Sequence, residues 1–358
     1  MSFIKIINTK RVNQDDSAFP TIVKLNNSDL ICGFSVGGGP EVTGGSDWAR
    51  STDNGMTWKH EGCILPRTEN PVTVNTMRLS RTADGRVIAY GQRNYLENQS
   101  TKFGTLKNDT VFCLSDFDCR SWSKPQIVPH KHTCPFEVSN PIVVLPDGRW
   151  LAPAALLTDA NHLGEKVIVS ESRDEGKTWD NEYTVLADPN GEKCFFEQKI
   201  IQTAPDRLLA FAWTVQRGSY DNLCNHFAWS KDGGRSWSQP IPTTIRGQTL
   251  SPFYLGGNKF LLLYNDRHNP QGIKLAVASI HDSECKIMDE MFLWKPKSKT
   301  NTTKEGIDSF DDFAFGLPSI TALENHQFLA VFWNKESHIF GISTIQFSLS
   351  REKVTNIK

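Results

Sequence analysis

Pairs of short apolar runs, joined by turn-forming residues, recur along the whole chain. Each run has at least five residues and is rich in Val, Ile, Leu and Phe, as buried strands are. No stretch keeps a helical period over three turns, so the pattern predicts an all-β protein. The six pairs are residues 19–25 with 30–36, 75–79 with 86–91, 141–145 with 150–155, 199–203 with 208–214, 250–255 with 259–264, and 318–323 with 328–333.

A second pattern, Ser-x-Asp-x-Gly-x-Thr/Ser-Trp, accompanies these pairs. It occurs in full at residues 51–58, 172–179 and 230–237, and in a degenerate form at 115–122. The Asp side chain can accept backbone N–H groups and close a turn, while the Gly permits positive φ and the Trp packs on a neighbour. Successive copies end in tryptophans that are 57 to 64 residues apart, a period that indicates a propeller or similar array.

The array predicts one domain over residues 1–358, folded as a six-bladed β-propeller. Each pair of runs is extended by further strands into a unit, but the last unit has only residues 342–349 as a third strand. Residues 4–12 have no unit of their own, so we expect them to complete the last blade. Such closure removes the exposed edges that favour aggregation.

Composition narrows the function classes. The chain has 39 Lys and Arg against 40 Asp and Glu, without a basic run or an acidic tail, so no nucleic-acid partner is expected. No apolar run approaches the roughly 20 residues of a membrane span. The N-terminal residues do not form a signal peptide, which predicts a cytoplasmic protein, or a secreted one if a leader was removed. None of the eight cysteines forms Cys-x-x-Cys, and no metal, phosphate or nucleotide motif appears, so no cofactor is expected.

The repeated boxes in a six-unit β array resemble the sialidase superfamily of Asp-box (BNR) propellers. The resemblance covers essentially the whole chain. It implies that the boxes lie at the rim, on the face away from the substrate. It also implies an active site at the axis, built from loops at the starts of the inner strands, and a glycoside hydrolase activity.

The residues of the sialidase carboxylate clamp do not carry over. Sialidases have Arg in a Phe-Arg-Ile-Pro motif, where this chain reads Ser17-Ala18-Phe19-Pro20. The positions for two further arginines read Ala212-Trp213-Thr214 and Pro270-Gln271-Gly272, with Arg267 some residues early. The nucleophilic Tyr of the family should stand near residues 315–318, which contain no Tyr.

Two carboxylates do match the family. Glu41 lies in the glycine-rich loop before the first box, where sialidases have their acid/base Asp. Glu197 lies at the head of the fourth inner strand, where they have a Glu. Glycoside cleavage needs two carboxyl groups, one protonated and one ionised. We therefore expect Glu41 to be the general acid/base and Glu197 the nucleophile or general base. The alternative is that neither residue is catalytic: Glu41 is then a solvated loop residue and Glu197 a charged residue at the end of a strand.

Further residues are candidates for substrate binding. Arginines can clamp a carboxylate of an acidic sugar. Glu137 heads the third inner strand and could be the second carboxylate of a retaining pair, while an indole could stack on a sugar or simply belong to the core. These candidates are Arg78, Arg93, Glu137, Trp213, Arg267 and His268.

The sequence favours a glycoside hydrolase that releases a terminal sugar from a glycan or oligosaccharide. One alternative is a lyase on an acidic sugar, with His268 or Glu197 as base beside an Arg. Another is a glycan-binding propeller without catalysis. The sugar, the linkage, the stereochemistry and the oligomeric state stay open.

Overall fold

The computed structural model describes residues 3–96, 104, 106–268, 270–297, 314–336 and 338–350. Within these ranges the chain forms β-strands and one short 3-10 helix, Gly39–Glu41. The first thirteen strands are β1 (Ile4–Asn13), β2 (Ala18–Lys24), β3 (Leu30–Ser35), β4 (Ser46–Ser51), β5 (Lys59–Leu65), β6 (Thr68–Glu69), β7 (Val72–Arg81), β8 (Val87–Tyr95), β9 (Asn108–Leu114), β10 (Gln126–Ile127), β11 (Phe136–Glu137), β12 (Val143–Val144) and β13 (Trp150–Leu157). The others are β14 (Leu163–Ser172), β15 (Asn181–Ala187), β16 (Lys193–Ala204), β17 (Arg207–Gln216), β18 (His226–Ser230), β19 (Ile241–Pro242), β20 (Leu250–Gly256), β21 (Lys259–Asp266), β22 (Gly272–Ile280), β23 (Cys285–Trp294), β24 (Phe315–Ala322), β25 (Gln327–Glu336) and β26 (Ile339–Leu349).

These strands form six antiparallel sheets, which are the six blades of a β-propeller. The blades are β2–β5, β6–β10, β11–β15, β16–β19, β20–β23, and β24–β26 with β1. Each inner strand contacts the inner strands of the two neighbouring blades, so that β2, β7, β12, β16, β20 and β24 surround the axis. The predicted fold class is therefore confirmed.

The closure of the ring is also confirmed. β1 pairs antiparallel with β26, from Ile4 opposite Leu349 to Asn13 opposite Ile342. The first strand of the chain thus becomes the outermost strand of the last blade, whose order is β1-β26-β25-β24.

The core lies between the blades rather than at one centre. An apolar cluster fills each of the interfaces between neighbouring blades. Between the fourth and fifth blades, for example, Phe211, Phe227 and Phe260 are fully buried. Because both faces of a middle strand meet another blade, residues 208–215 of β17 are all buried, which explains the continuous apolar run there.

Each Asp box is a turn that is stabilised by hydrogen bonds between its own residues. In the third full box, the Ser230 hydroxyl accepts the N–H of Gly234 at 2.8 Å, and Asp232 accepts the N–H of Ser236 at 2.9 Å. Gly234 has φ 90°, which an L-residue rarely adopts. The same bonds recur in the other two full boxes. Even the degenerate copy keeps its turn, because Asp116 accepts a backbone N–H and a hydroxyl at 2.7 Å each.

The inner strand of the third blade departs from the predicted run at residues 141–145. Only Val143 and Val144 pair with β13, and β11 pairs with the same strand seven residues earlier. Pro141 has no N–H to give to a ladder. The Asn140 side chain instead accepts the N–H of Ile200 from the fourth blade at 3.0 Å. This interruption lies next to the candidate site.

Candidate active site

Three inner strands share one irregularity near their first residues. A bulge interrupts the pairing of the first, fourth and sixth inner strands. At each bulge a non-glycine residue has a left-handed backbone: Phe19 with φ 56°, Glu197 with φ 49° and Leu317 with φ 41°. Such a backbone is costly for these residue types and persists only where the surroundings enforce it. Only in the fourth blade does the strained position carry a charge.

Contacts from both neighbouring blades hold Glu197. Its backbone N–H donates to Oε2 of Glu137, in the third blade, at 3.1 Å. Its own Oε2 accepts the hydroxyl of Thr249, which lies at the start of the fifth blade's inner strand. The side chain is half-buried, so it meets solvent while its backbone is fixed.

Glu137 is the buried partner of this residue. It ends β11 and is 6% exposed, and its Oε1 accepts the hydroxyl of Ser139. Burial raises the pKa of Glu137, the hydrogen bond from Ser139 opposes this rise, and the charge of Glu197 adds to it. The two glutamates therefore differ in environment, since Glu137 is buried and Glu197 is partly exposed to solvent.

Three buried cations lie around the two carboxylates. Burial lowers the pKa of Lys199 to about 7, and the like charge of Arg78 adds to this, while both glutamates oppose it. Burial also lowers the pKa of Arg78 to about 10 against the attraction of Glu137 and Glu197. The pKa of Arg267 is lowered to about 10 by burial, again opposed by Glu197. We call these five residues, Arg78, Glu137, Glu197, Lys199 and Arg267, the axial cluster.

The cations bind backbone carbonyls at the heads of other inner strands. Arg78 donates to the carbonyl oxygen of Phe19 at 3.3 Å, and Arg267 donates to that of Phe315 at 3.1 and 3.0 Å. A Cβ placed on Gly316 would overlap Nη2 of Arg267. The Arg267 guanidinium therefore occupies the space that a larger side chain at residue 316 would need, in the stretch where the sialidase resemblance places the Tyr.

Glu41 lies on a loop beside this end of the first blade. The loop joins β3 to β4, and Ser35 at its start pairs with Ala18 at the head of β2. Backbone N–H groups of Gly38 and Gly39 bind Asp16 at 3.2 and 3.1 Å, which anchors the loop. Glu41 itself is exposed, and among the described residues no hydrogen bond joins it to the axial cluster.

Trp213 and His268 lie to one side of the cluster and are linked to each other. The buried indole of Trp213 donates to Oδ1 of Asn222 at 2.6 Å, and the amide nitrogen of Asn222 lies 2.7 Å from Nε2 of exposed His268. Trp213 also packs on Phe196, with ring centroids 5.9 Å apart. The indole of Trp213 is therefore part of the buried core next to Glu197 rather than an exposed surface.

Arg93 lies on the second strand of its blade. It binds Asp109 of the next strand at 2.7 Å. With Trp48, Trp122 and Arg120 it lines a cavity of about 620 Å³ between the first and second blades. The structure thus brings together four of the sequence candidates, Arg78, Glu137, Glu197 and Arg267, and places Arg93 elsewhere.

Sequence reasoning missed Ser139, Lys199 and Thr249. The signal that would have found three of the contacts between the third and fourth blades is the repeat period itself. Glu137 binds Glu197, Ser139 binds Lys199 and Asn140 binds Ile200, and each of these pairs is separated by 60 residues. Equivalent positions in adjacent blades therefore meet at the axis.

Among the residues that the structure describes, no three His, Cys, Asp or Glu side chains form a metal-binding group.

The sequence matches a family model described as BNR repeat-like domain over residues 48–327. No curated protein matches the chain. Within the described part of the chain, no helix has the length and apolar character to cross a membrane.

Three solved structures illustrate the similarity of fold. A protein of unknown function from Dyadobacter fermentans is 18% identical with a TM-score of 0.76, and the match covers 98% of this chain and 100% of that one. Trypanosoma rangeli sialidase is 12% identical with a TM-score of 0.63; the match covers 96% of this chain but 59% of the sialidase. The α-L-arabinofuranosidase Arb93A of Fusarium graminearum is 11% identical with a TM-score of 0.66 and coverages of 97% and 99%. At these identities the likeness concerns the fold.

Proposed function

The chain belongs to the BNR repeat-like domain family, and we propose that it is a glycoside hydrolase that releases a terminal sugar from a glycan or oligosaccharide. Propellers of this shape include a sialidase and an arabinofuranosidase, which are glycoside hydrolases. Because a shared fold does not fix chemistry, the proposal depends on the axial cluster.

The observation that carries the proposal is Glu197, a partly exposed carboxylate that is held by contacts from both neighbouring blades. Glycosidic cleavage needs a carboxylate that attacks the anomeric carbon or activates water, and a carboxylic acid that protonates the leaving oxygen. Glu197 is partly exposed, and its backbone is fixed by Glu137 and one carboxylate oxygen by Thr249, as a nucleophile or general base requires. Glu137 is enclosed, so its part is to position Glu197.

Glu41 is our proposed proton donor. It is exposed on a loop with successive glycines, next to the head of the first inner strand. A loop of this kind can approach a bound sugar closely. Arg78 and Arg267 would stabilise negative charge that develops on the departing group or on the substrate.

A screen of synthetic glycosides tests the proposal. We expect the purified protein to release one sugar from a panel with an activated aryl leaving group, and the Glu197→Gln variant to lose that activity. Glu192→Gln is the matched control, because Glu192 is an exposed residue near the start of the same strand. Release at equal rates by the wild type and Glu197→Gln would contradict the assignment.

The excess of cations over carboxylates in the axial cluster favours one second candidate, a lyase on an acidic sugar. A lyase produces an unsaturated end that absorbs ultraviolet light, whereas a hydrolase incorporates solvent oxygen into the released sugar. A binding protein does neither. Incubation in ¹⁸O-water with mass analysis of the products separates the three.

A further inference from the structure

Lys199 links the third and fourth blades close to the proposed catalytic carboxylate. It follows Glu197 by two residues in β16 and is 8% exposed. Its ammonium group donates to the backbone carbonyl of Ser139, in the interruption between β11 and β12. That carbonyl belongs to a part of the third inner strand that does not pair with β13, so the lysine supplies its donor.

A continuous chain of hydrogen bonds leads from Lys199 back to Glu197. Ser139, held through its carbonyl, donates its hydroxyl to Oε1 of Glu137. Oε2 of Glu137 then accepts the N–H of Glu197, the residue with the left-handed backbone. The side chain of Lys199 therefore acts on Glu197 through two intermediates. An ordinary strand lysine with its head in solvent has no such path.

Charge adds a second link between the same residues. The groups that face Lys199 are Arg78 from the second blade, Glu137 from the third and Glu197 from its own strand. Glu137 faces Ser139, Glu197 and Lys199, and the Glu137 carboxylate in turn acts on the buried Tyr90 and on Arg78. An ammonium ion at this place favours the ionised form of Glu137, and the ionised form is the stronger acceptor for the N–H of Glu197.

We propose that Lys199 is a positioning residue for the proposed hydrolase: through Ser139 and through its charge it sets the ionisation of Glu137, and thereby the hold of Glu137 on Glu197. This inference deepens the proposed function and rests on it for its catalytic meaning. Its physical content, the control of Glu137 by Lys199, does not depend on any substrate.

The test measures the ionisation of Glu137 directly. In an infrared titration, the carboxyl band that disappears in Glu137→Gln reports the protonated form of this residue. In Lys199→Met we expect the midpoint of that band to rise by about one pH unit or more, because a neighbouring positive charge is lost. Lys199→Arg should keep the midpoint near the wild-type value, and Lys24→Met, on the inner strand of the first blade, should leave it unchanged.

A second variant keeps the test decisive if Lys199→Met does not fold. Ser139→Ala retains the carbonyl that Lys199 binds but removes the hydroxyl that Glu137 accepts, so the midpoint should again rise. If the midpoint stays at the wild-type value in Ser139→Ala, or in a folded Lys199→Met whose melting temperature has dropped, Lys199 only ties the blades together and the proposal is overturned.

Kinetics then separate the two proposals. Where the glycoside screen finds activity, the acid limb of the kcat/KM profile should shift upward in Lys199→Met together with the infrared midpoint. An infrared shift without any glycosidase activity would sustain the positioning role and reject the proposed function. Activity whose pH profile is unchanged in Lys199→Met would sustain the function and reject the role of Lys199.

Discussion

Glu197 and Asp232 belong to the same blade, one near the head of its inner strand and the other in the Asp-box turn at its opposite end. The partners of Asp232 are Ser230, Arg235 and Ser236, all within four residues. The hydrogen-bond partners of Glu197 are 60 and 52 residues away, in the two neighbouring blades. A carboxylate at the rim is thus satisfied by its own turn, whereas one at the axis depends on the assembled ring.

The two ends of the blade also shift the pKa of a carboxyl group in opposite directions: it is lowered in the Asp box and raised at the axis. Partial burial tends to raise the pKa of Asp232, but hydrogen bonds from Ser236, Ser230 and Arg235 outweigh it and hold that pKa below its ordinary value. Burial raises the pKa of Glu137, which positions Glu197. The rim favours the ionised form of Asp232, whereas burial at the axis favours the protonated form of Glu137.

The largest expected effect is a loss of activity at the axis without a loss of stability. Glu197→Gln keeps the shape of the side chain and removes its charge, so kcat should fall by about 10³-fold or more with little change in melting temperature. Asp232→Asn should show the reverse, a lower melting temperature and nearly normal kcat. Near-normal kcat in Glu197→Gln would exclude Glu197 as the catalytic carboxylate and favour Glu137 in that role.

A smaller effect is expected at the loop. Glu41→Gln should slow the cleavage of glycosides with poor leaving groups by about 10²-fold or more, because their departing oxygen needs a proton. Aryl glycosides with good leaving groups should be cleaved at nearly the wild-type rate. Equal losses on both substrate types would exclude Glu41 as the general acid.

At the rim, Asp232→Ala removes several local hydrogen bonds and should cost about 1 kcal/mol, since each exposed bond contributes little. Thermal melting should show a decrease of about 1 to 2 °C, because the unfolding entropy of a chain this long is large. Asp221→Ala is the control, because Asp221 is an exposed residue of the same blade, outside the box. A decrease as large in Asp221→Ala as in Asp232→Ala would mean that the box contributes no stability of its own.

The smallest effect is a difference in how stability depends on pH. The folded-state pKa of Asp232 is lowered, so its contribution to stability is present above the ordinary Asp pKa of 3.8 and is lost as pH falls through the folded-state pKa. The folded-state pKa of Glu137 is raised, so its ionisation destabilises the fold as pH rises above 4.5. In urea unfolding, Glu137→Gln should therefore gain on the wild type with rising pH, while Asp232→Asn should lose. A parallel pH dependence of the two variants would refute the contrast.

The sequence predicted the fold because the fold is repetitive and local. Each box is a turn whose hydrogen-bond partners are within four residues, and each apolar run is buried between two blades. Both features can therefore be recognised in a short stretch of sequence. The unpaired residues 4–12 then sufficed to predict the closure, which β1 confirms.

The axial cluster could be predicted only in part. Glu137, Glu197, Arg78 and Arg267 stood out as charges near inner strands, but their proximity depends on which blades adjoin. Lys199 could not be found by alternation, because the bulge between Phe196 and Lys199 shifts the register and changes the face on which the following residues lie. The role of Ser139 follows from a broken strand that the apolar run at 141–145 conceals.

The pairing of β1 with β26 also determines when β1 can fold during translation. A ribosome adds about 5–20 residues per second, so β1 emerges roughly 20 to 60 seconds before its partner at residues 339–349 exists. Until β26 has been synthesised, β1 has no strand to pair with, whereas the intervening blades can form one after another. The ring is therefore closed by a segment that is synthesised before the other blades and pairs after them, and a chaperone that shields this segment during translation would protect the whole ring.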